Sequence, residues 1–388
     1  MSFFKKNMFS VFLIAALAAI IYSNSFDASF HFDDQQSIVE NYSIHRFDLK
    51  KIFSTSSRPI LDITFAINYY FGKLNVFGYH VVNLLLHIAN GIMLYFILLR
   101  TINPIDRANR ANSISQVNFR VPLYASLIFI AHPVQTQAVT YIVSRSSVLA
   151  TFFYLLSLLL FISAFRSHAP LRSSLYLTGV FLASCLGMGT KQIAATLPLM
   201  LLIYDFYFIS DGNWRTLKSH YKIHLTMFST ISIAVYLSFS GLKLFVSFDY
   251  AKGVSMPSGE SSITSFQYFL TQLHVIPYYI KLLFLPTNLN LDYDWPLTRN
   301  IDLPTVLFFI LLAGIVIIAI KLFKRSRLIS FGIIWFFVAL SVTSSFVVIH
   351  DVIFEHRLYL PSVGFAIFLA VMISRISDLK KKLHTSDR

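Results

Sequence analysis

The sequence predicts an all-α polytopic membrane protein, a bundle of about ten or eleven transmembrane helices with a large first extracytoplasmic loop carrying short interfacial helices. Three observations predict it. The 388-residue chain is 56% hydrophobic and only 13% charged, where a soluble domain carries about 25% charged residues. Apolar runs long enough to cross a bilayer recur along the whole length. The basic residues fall between alternate runs, as the positive-inside rule requires. No polar stretch is long enough to fold alone, so 1–388 reads as a single membrane domain.

Lys5 and Lys6 precede the first apolar run, 8–23. The arrangement resembles a secretory signal, but the run passes into acidic residues without a clean small-x-small site. It therefore reads as an uncleaved signal anchor. The loop 24–79 is long for a connection and has periodic patterns of its own, which predicts short helices lying on the membrane. Further spans are expected at 80–99, 121–137, 147–165, 173–188, 190–208, 223–241, 304–322, 329–348 and 358–375. Arg100, Arg107, Arg110 and Arg120 lie between the second and third runs, and Arg166 and Arg172 follow the fourth. Arg215, Lys218 and Lys222 follow the sixth, Lys321, Lys324, Arg325 and Arg327 the eighth, and Arg375, Lys380, Lys381 and Lys382 the last. All of these fall on one side when both termini are cytoplasmic.

Residues 264–285 are apolar but hold Gln267, Gln272, His274, Pro277 and Lys281. Counted as a span they would put Lys324, Arg325 and Arg327 outside, so they read as a re-entrant or interfacial helix on the outer side. Residues 1–241 then form one module, with the outer loop 24–79. Residues 242–388 carry the outer stretch 242–303, with that helix, and three C-terminal spans. The net charge of +14 comes from the short loops and the two ends, so it is no nucleic-acid footprint. The single cysteine, Cys185, lies in an apolar run, which rules out an intrachain disulfide and suits a packing role.

The outer face collects the polar residues that carry chemistry. Asp33 and Asp34 follow the first span directly, in a chain with only 18 acidic residues. Such a pair at the mouth of a membrane bundle can take a proton from a hydroxyl, hold a divalent metal such as Mg2+ or Mn2+, or both. His80, Asn83, His87 and Asn90 share one helical face, which must turn toward protein or a wet cavity. Asn83, His87 and Asn90 suit interhelical hydrogen bonds, while His80 stands nearer the outer mouth. His132 before Pro133 marks either a helix break or a donor to phosphate. Arg145 enters its span from outside, where it can snorkel or grip a phosphate with its planar fork. Lys191 lies in the outer turn between the fifth and sixth runs, against the charge rule, which points to phosphate binding. Glu355, His356 and Arg357 stand at the entrance to the final run; Arg357 can lock onto Glu355 or Asp351, or bind an anionic headgroup. Asp292 and Asp294 form a rival acidic pair of common spacing. No zinc-type Cys/His spacing, Walker loop, dinucleotide fingerprint or nucleophile elbow is present, which argues against an ATP-driven pump or a serine hydrolase.

In order, the acidic pair, Arg58-Pro59, the run from Phe77 to His87, His132-Pro133, Arg145, Lys191, Pro198 with Asp205, and the run from Glu355 to Phe365 resemble the GT-C superfamily of polyprenyl-phosphate-sugar glycosyltransferases. The resemblance is closest to the membrane part of the transmembrane and tetratricopeptide-repeat O-mannosyltransferases and their bacterial relatives, and it covers nearly the whole chain. It implies a GT-C-type bundle, with 1–241 as its catalytic-type module. It implies a polyprenyl-phosphate-linked sugar donor and a protein acceptor, such as a pilin, or a glycan acceptor at the extracytoplasmic surface. Asp33 or Asp34 would be the general base of an inverting transfer, with Asp33 favoured because it follows Phe32. Arg145, Lys191, His356 and Arg357 would bind the donor phosphate. His80, His132, Arg58, Glu355 and Tyr359 would position substrates. A metal, if used, would sit on Asp33 and Asp34. The chain ends at Arg388, so no tetratricopeptide repeats are expected, and the setting expected is a bacterial inner membrane with the site facing the periplasm. Gln192 stands where relatives often have glutamate, which puts a carboxylate role there in doubt. The alternative is a transporter or flippase of a lipid-linked or anionic substrate. It calls for acids near the bilayer centre, where Asp205 is the main candidate.

Overall fold

The computed structural model describes residues 3–102, 120–237, 263–349 and 351–386. Arg107, Arg110, the run end 238–241 and the first part of the outer stretch lie outside the described residues. The first helix, α1 (Phe3–Ile21), is followed by three short outer helices, α2 (Tyr42–His45), α3 (Leu49–Thr55) and α4 (Pro59–Gly72). Asn41 and Asp48 cap α2 and α3 by accepting from the amides of Ser43 and Lys51, which fixes where those short turns start. They do not simply lie on the membrane as isolated stripes. Ile38, Ile44, Ile52, Leu61, Phe65 and Ala66 close a small core over Tyr79 and Ile142, so the loop is seated on one end of the bundle.

The bundle continues with α5 (Val76–Ile102), α6 (Arg120–Ala131), α7 (Thr136–Thr140), α8 (Arg145–Arg166), α9 (Pro170–Met188), α10 (Leu197–Tyr204), α11 (Trp214–Ser219) and α12 (Tyr221–Ser229). It ends with α13 (Ser265–Phe284), α14 (Leu303–Leu322), α15 (Arg327–Leu340) and α16 (Pro361–Ser386). The all-α polytopic architecture stands. Among the described residues, six helical segments are both long and apolar enough to cross a membrane: Val76–Ile102, Ile142–Arg166, Pro170–Met188, Gln192–Ile209, Leu303–Leu322 and Pro361–Leu379. Asn7–Ile21, Arg120–Ala131 and Arg327–Leu340 are shorter apolar helices.

The difference from about ten long spans has local causes. The run 121–137 breaks at Pro133, which lacks an N–H and holds His132 extended (φ −68, ψ 126). The run 329–348 stops being helical after Leu340. There Ser341, Thr343 and Ser344 turn the chain through short amide contacts to the carbonyls of Val338 and Leu340. The run from 223 is interrupted at Thr230. The stretch 264–285 is no short re-entrant turn. It is a twenty-residue helix opened by a capping box between Thr264 and Gln267, and Tyr268, Val275, Ile276 and Tyr279 bury it against α15 and the segment before α16.

The main core joins α1, α5, α6, α8 and α10 with α15 and α16. Two glycines let α15 and α16 touch backbone to backbone: a Cβ on Gly332 would stand 2.6 Å from the Gly364 carbonyl oxygen. The polar stripe of α5 is buried as interhelical glue. Asn83 donates to the Val139 carbonyl at 3.2 Å, His87 to that of Ile130 at 3.2 Å, and Asn90 to that of Val148 at 3.0 Å.

Candidate functional site

The acidic pair sits on a tight turn, with the Asp34 amide donating to the His31 carbonyl at 3.0 Å and that of Gln35 to Phe32 at 3.0 Å. Phe32 takes a left-handed conformation, φ 45, which costs a non-glycine residue about 1–3 kcal/mol. That turn sends the two acids in opposite directions. Asp34 is 1% exposed; its oxygens accept from the amides of His31 at 3.1 Å and Val143 at 2.7 Å. Burial pushes its carboxyl up to about 6, against the pull of those two donors. Asp33 is exposed, and its amide donates to the Tyr141 hydroxyl at 2.9 Å. One acid is a structural clamp and the other faces out.

Four basic residues from distant stretches gather beside it. Arg58 is half-buried at the start of α4, its amide donating to Ser56 Oγ at 2.9 Å. The Ile60 amide donates to the Gly189 carbonyl at 3.1 Å, which ties this end of α4 to the turn carrying Lys191. Lys191 is buried, its ammonium donating to Ser147 Oγ at 2.7 Å. His356 is held by its amide, which donates to Gln137 Oε1 at 2.6 Å, and its ring stacks on Phe354. Arg357 donates to the carbonyls of Val352, at 3.1 Å, and Asp351.

These groups sense one another. Burial holds the Lys191 ammonium well below its usual range, and the guanidiniums of Arg58 and Arg357 add to the effect. Burial also holds the His356 imidazole well below its usual value, with Lys191, Arg357 and Arg58 pushing the same way. Arg58 is lowered by burial and pulled back by Asp62 and Asp33, so it links the cation cluster to the outward-facing acid. Burial pushes Asp62 itself up to about 6, against Ser56 and Arg58. Two atoms in the cluster, Arg58 Nε and His356 Nδ1, are buried with no hydrogen-bond partner. A buried polar atom left unpaired costs about 1–3 kcal/mol, so the cluster has the electrostatics and the open valences of an anion site.

Other expected site residues are placed differently. Arg145 is fully buried. It donates to Asn83 Oδ1 at 2.6 Å, Asn68 Oδ1 at 2.6 Å, Thr64 Oγ1 at 3.2 Å and the Tyr79 carbonyl at 3.0 Å, and packs over the Phe65 ring. That is a tie between α4, α5 and α8, not a phosphate grip or a snorkelling end. His132 accepts from the Val134 amide at 3.2 Å and donates to the Leu283 carbonyl at 2.8 Å, so both ring nitrogens staple the helix break. His80 is buried, with Nε2 donating to the Ala28 carbonyl at 2.9 Å; it tethers the outer loop. Tyr359 lies inside the bundle, donating to His87 Nδ1 at 2.7 Å and accepting from Asn90 at 3.1 Å, away from the outer mouth. Glu355 accepts from the Asn290 amide at 2.6 Å and the Tyr293 hydroxyl at 2.5 Å, so it fastens the outer stretch and does not pair with Arg357. Asp292 and Asp294 are exposed on that stretch.

Asp205 accepts from Ser210 at 2.6 Å and from His220 and His224 at 2.8 Å each. Of the acidic pair only Asp33 is exposed, while Asp34 is buried with one backbone amide on each oxygen. Among the described residues no group of three or more His, Cys, Asp or Glu side chains gathers to hold a metal.

Tyr141, Gln137, Ser147 and Asp62 were not expected at the site. Asp62 had a signal, standing four residues after Arg58 in the first turn of α4. The polar tips of the others carry none in a single sequence.

The chain is 27% identical over 393 residues to a protein O-mannosyl-transferase of Caenorhabditis elegans, covering 95% of this chain and 52% of that protein. It is 27% identical over 420 residues to protein O-mannosyl-transferase TMTC3 of Homo sapiens, covering 96% of this chain and 43% of that protein. Protein O-mannosyl-transferase TMTC2 of Homo sapiens is 28% identical over 333 residues, covering 78% of this chain and 38% of its own length. The chain thus spans about half or less of the length of these curated relatives. No family model matches the chain, and no solved structure matches it significantly. Along nearly its whole length, then, this membrane protein resembles the protein O-mannosyl-transferases.

Proposed function

We propose that the chain is a glycosyltransferase that moves a sugar from a polyprenyl-phosphate carrier to a hydroxyl of a protein or glycan acceptor, with Asp33 as general base. The observation that carries this reading is Arg58, whose guanidinium lies within electrostatic reach of Asp33 and also of Lys191 and His356. A base and an anion site side by side are what transfer from a sugar phosphate requires. The likeness to protein O-mannosyl-transferases supports the same class of chemistry.

In this mechanism the acceptor hydroxyl gives its proton to the Asp33 carboxylate. Its oxygen bonds to the anomeric carbon from the face opposite the phosphate. The bond from that carbon to the phosphate oxygen breaks, and the electron pair leaves with the polyprenyl phosphate. A single displacement inverts the anomeric centre. The two orphan donors, Arg58 Nε and His356 Nδ1, meet phosphate oxygens as charge develops on them, with Lys191 and Arg357 supplying positive charge in a site shielded from water. An arriving phosphate also offsets the like-charge repulsion that adds to the effect of burial on Lys191 and His356. The active end lies on the extracytoplasmic side, with both termini cytoplasmic; in a bacterial cell this is the periplasmic face of the inner membrane.

The test is transfer and hydrolysis by purified protein in nanodiscs, offered a panel of polyprenyl-phosphate sugars with serine- and threonine-bearing peptides. Wild type is expected to consume one donor. Asp33→Asn is expected to lose transfer while keeping wild-type melting and donor protection. If no donor is consumed or bound, and Asp33→Asn behaves as wild type in cells, the reading fails and transport of a lipid-linked substrate replaces it.

A further inference from the structure

The acidic turn is gripped by one short stretch on the far side of α5. Tyr141 stands between α7 and the tight turn Ile142–Ser144 that feeds α8, in extended backbone (φ −77, ψ 113). That conformation throws its half-buried side chain toward the turn at 31–35. Its hydroxyl accepts the Asp33 amide hydrogen at 2.9 Å, which leaves its own proton free to turn toward the carboxylate of the same residue. Two residues on, the Val143 amide donates to Asp34 Oδ1 at 2.7 Å. Residues 141–143 therefore hold both acids, Asp34 through backbone and Asp33 through a phenol.

We propose that Tyr141 is a positioning residue for the base: its hydroxyl fixes where the outward-facing Asp33 carboxylate points, while Asp34 anchors the turn that carries it. This rests on the reading of Asp33 as the base. An exposed aspartate has three χ1 wells and a broad χ2, so an untethered carboxylate faces the acceptor only part of the time. The phenolic oxygen has one proton to give and lone pairs to receive. With a lone pair taken by the Asp33 amide, its proton is directed to the carboxylate of the same residue. A bond from that proton to the carboxylate closes a ring that locks side chain to backbone within Asp33. A general base must come within about 2.6–3.2 Å of the proton it takes, and a misplacement near 1 Å can cost about a hundredfold in rate. Asp34 does not substitute, since it is buried away from any acceptor, with its oxygens engaged by two backbone amides.

The experiment compares wild type, Tyr141→Phe and Asp33→Asn as full-length chains in nanodiscs, with polyprenyl-phosphate mannose as donor and a threonine peptide as acceptor. Tyr141→Phe is expected to lower kcat by about ten- to a hundredfold, with the donor KM within about twofold of wild type and donor protection against thermal unfolding unchanged. A second readout does not depend on turnover: the rate at which a water-soluble carbodiimide modifies Asp33, followed by mass spectrometry, is expected to rise several-fold in Tyr141→Phe. If wild type transfers sugar, Asp33→Asn is dead and Tyr141→Phe matches wild type in both kcat and labelling, the positioning role is overturned and the glycosyltransferase reading stands. If Tyr141→Phe shifts donor KM and melting together, without a specific fall in kcat, the residue is merely structural and the proposal fails. If wild type moves no sugar from this donor or any other in the panel, the reading of the site fails first and the role of Tyr141 falls with it.

Discussion

The two ends of the bundle each gather acids and bases, and they resolve them in opposite ways. At the inner end of the segment Gln192–Ile209, the Asp205 carboxylate is fully buried and is answered by Ser210, His220 and His224. One acid meets three donors, and the result ties α11 and α12 to the end of that span. At the opposite end Arg58, Lys191, His356 and Arg357 gather, Asp33 is exposed, and Arg58 Nε and His356 Nδ1 lack hydrogen-bond partners. Burial of polar groups is the same expense in both places. At the inner end the charge itself is answered from within the chain, although His224 Nδ1 is left unpartnered there as well. A carboxylate answered by three donors explains itself as structure; buried cations that push on one another favour an anion among them. On that ground Asp205 does not favour transport, and the outer cluster does favour an anionic substrate.

The sharpest way to break this contrast is to exchange the roles of its two acids. Asp33→Asn is expected to lower transfer by about a hundred- to ten-thousandfold, the range for loss of a general base, with melting unchanged. Asp205→Asn is expected to keep kcat within severalfold of wild type and to melt earlier, because one of its carboxylate acceptors becomes a donor facing His220, His224 or Ser210. Transfer lost in Asp205→Asn at intact stability would move the chemistry to the wrong end. Next in size is Arg145→Met. It removes the partner of Asn83, Asn68, Thr64 and the Tyr79 carbonyl at once, and about 3–5 kcal/mol of stability is expected to go with it. Chemical unfolding in detergent measures the loss. Lys191→Met is expected to do the reverse. It deletes a buried positive charge pushed on by Arg58 and Arg357, at the loss of one hydrogen bond to Ser147, so the protein melts close to wild type, while affinity for the phosphate donor falls about tenfold. Equal destabilisation by the two substitutions would erase the distinction between a structural cation and a binding one.

That distinction was the part least legible in the sequence. Arg145 and Arg58 both stand on the outer side beside helix starts, and a guanidinium offers the same fork to a phosphate as to carbonyl and amide oxygens. What separates them is the convergence of Asn83, Asn68 and Thr64 on Arg145 from two other helices, a fact of tertiary packing. Lys191 was legible because it violates the charge rule, and Asp33 because acids are rare. Tyr141 was not, since a tyrosine next to an apolar run looks the same whether its hydroxyl meets water or an aspartate. In the fold, the long spans were readable from apolar length, and Pro133 announced a break. The end of α15 at Leu340 was hidden because Phe346, Val347, Val348 and Ile349 continue the apolar run: hydropathy reports what a residue avoids, not whether its backbone is helical.

The smallest effect concerns the inward-facing acid. The Asp34 carboxyl sits at about 6 in the folded chain, against about 3.9 in an unfolded one. A raised value means that folding favours the protonated form. Its stabilising contribution is therefore fully present below the unfolded value and is lost as pH rises through about 6. Lowering the pH from about 7.5 to about 5 is expected to add stability through Asp34, against the opposite pull of buried His356, and Asp34→Asn, which cannot titrate, is expected to take that addition out of the slope of melting temperature against pH. Asp62, also raised to about 6 by burial, remains in the variant and pulls in the same direction, so the slope is reduced and not abolished. Differential scanning fluorimetry of the two proteins across this window reads the difference directly. A slope unchanged by Asp34→Asn would mean that Asp34 is not held in the dry clamp between His31 and Val143, and the division of labour within the pair would lose its inner half.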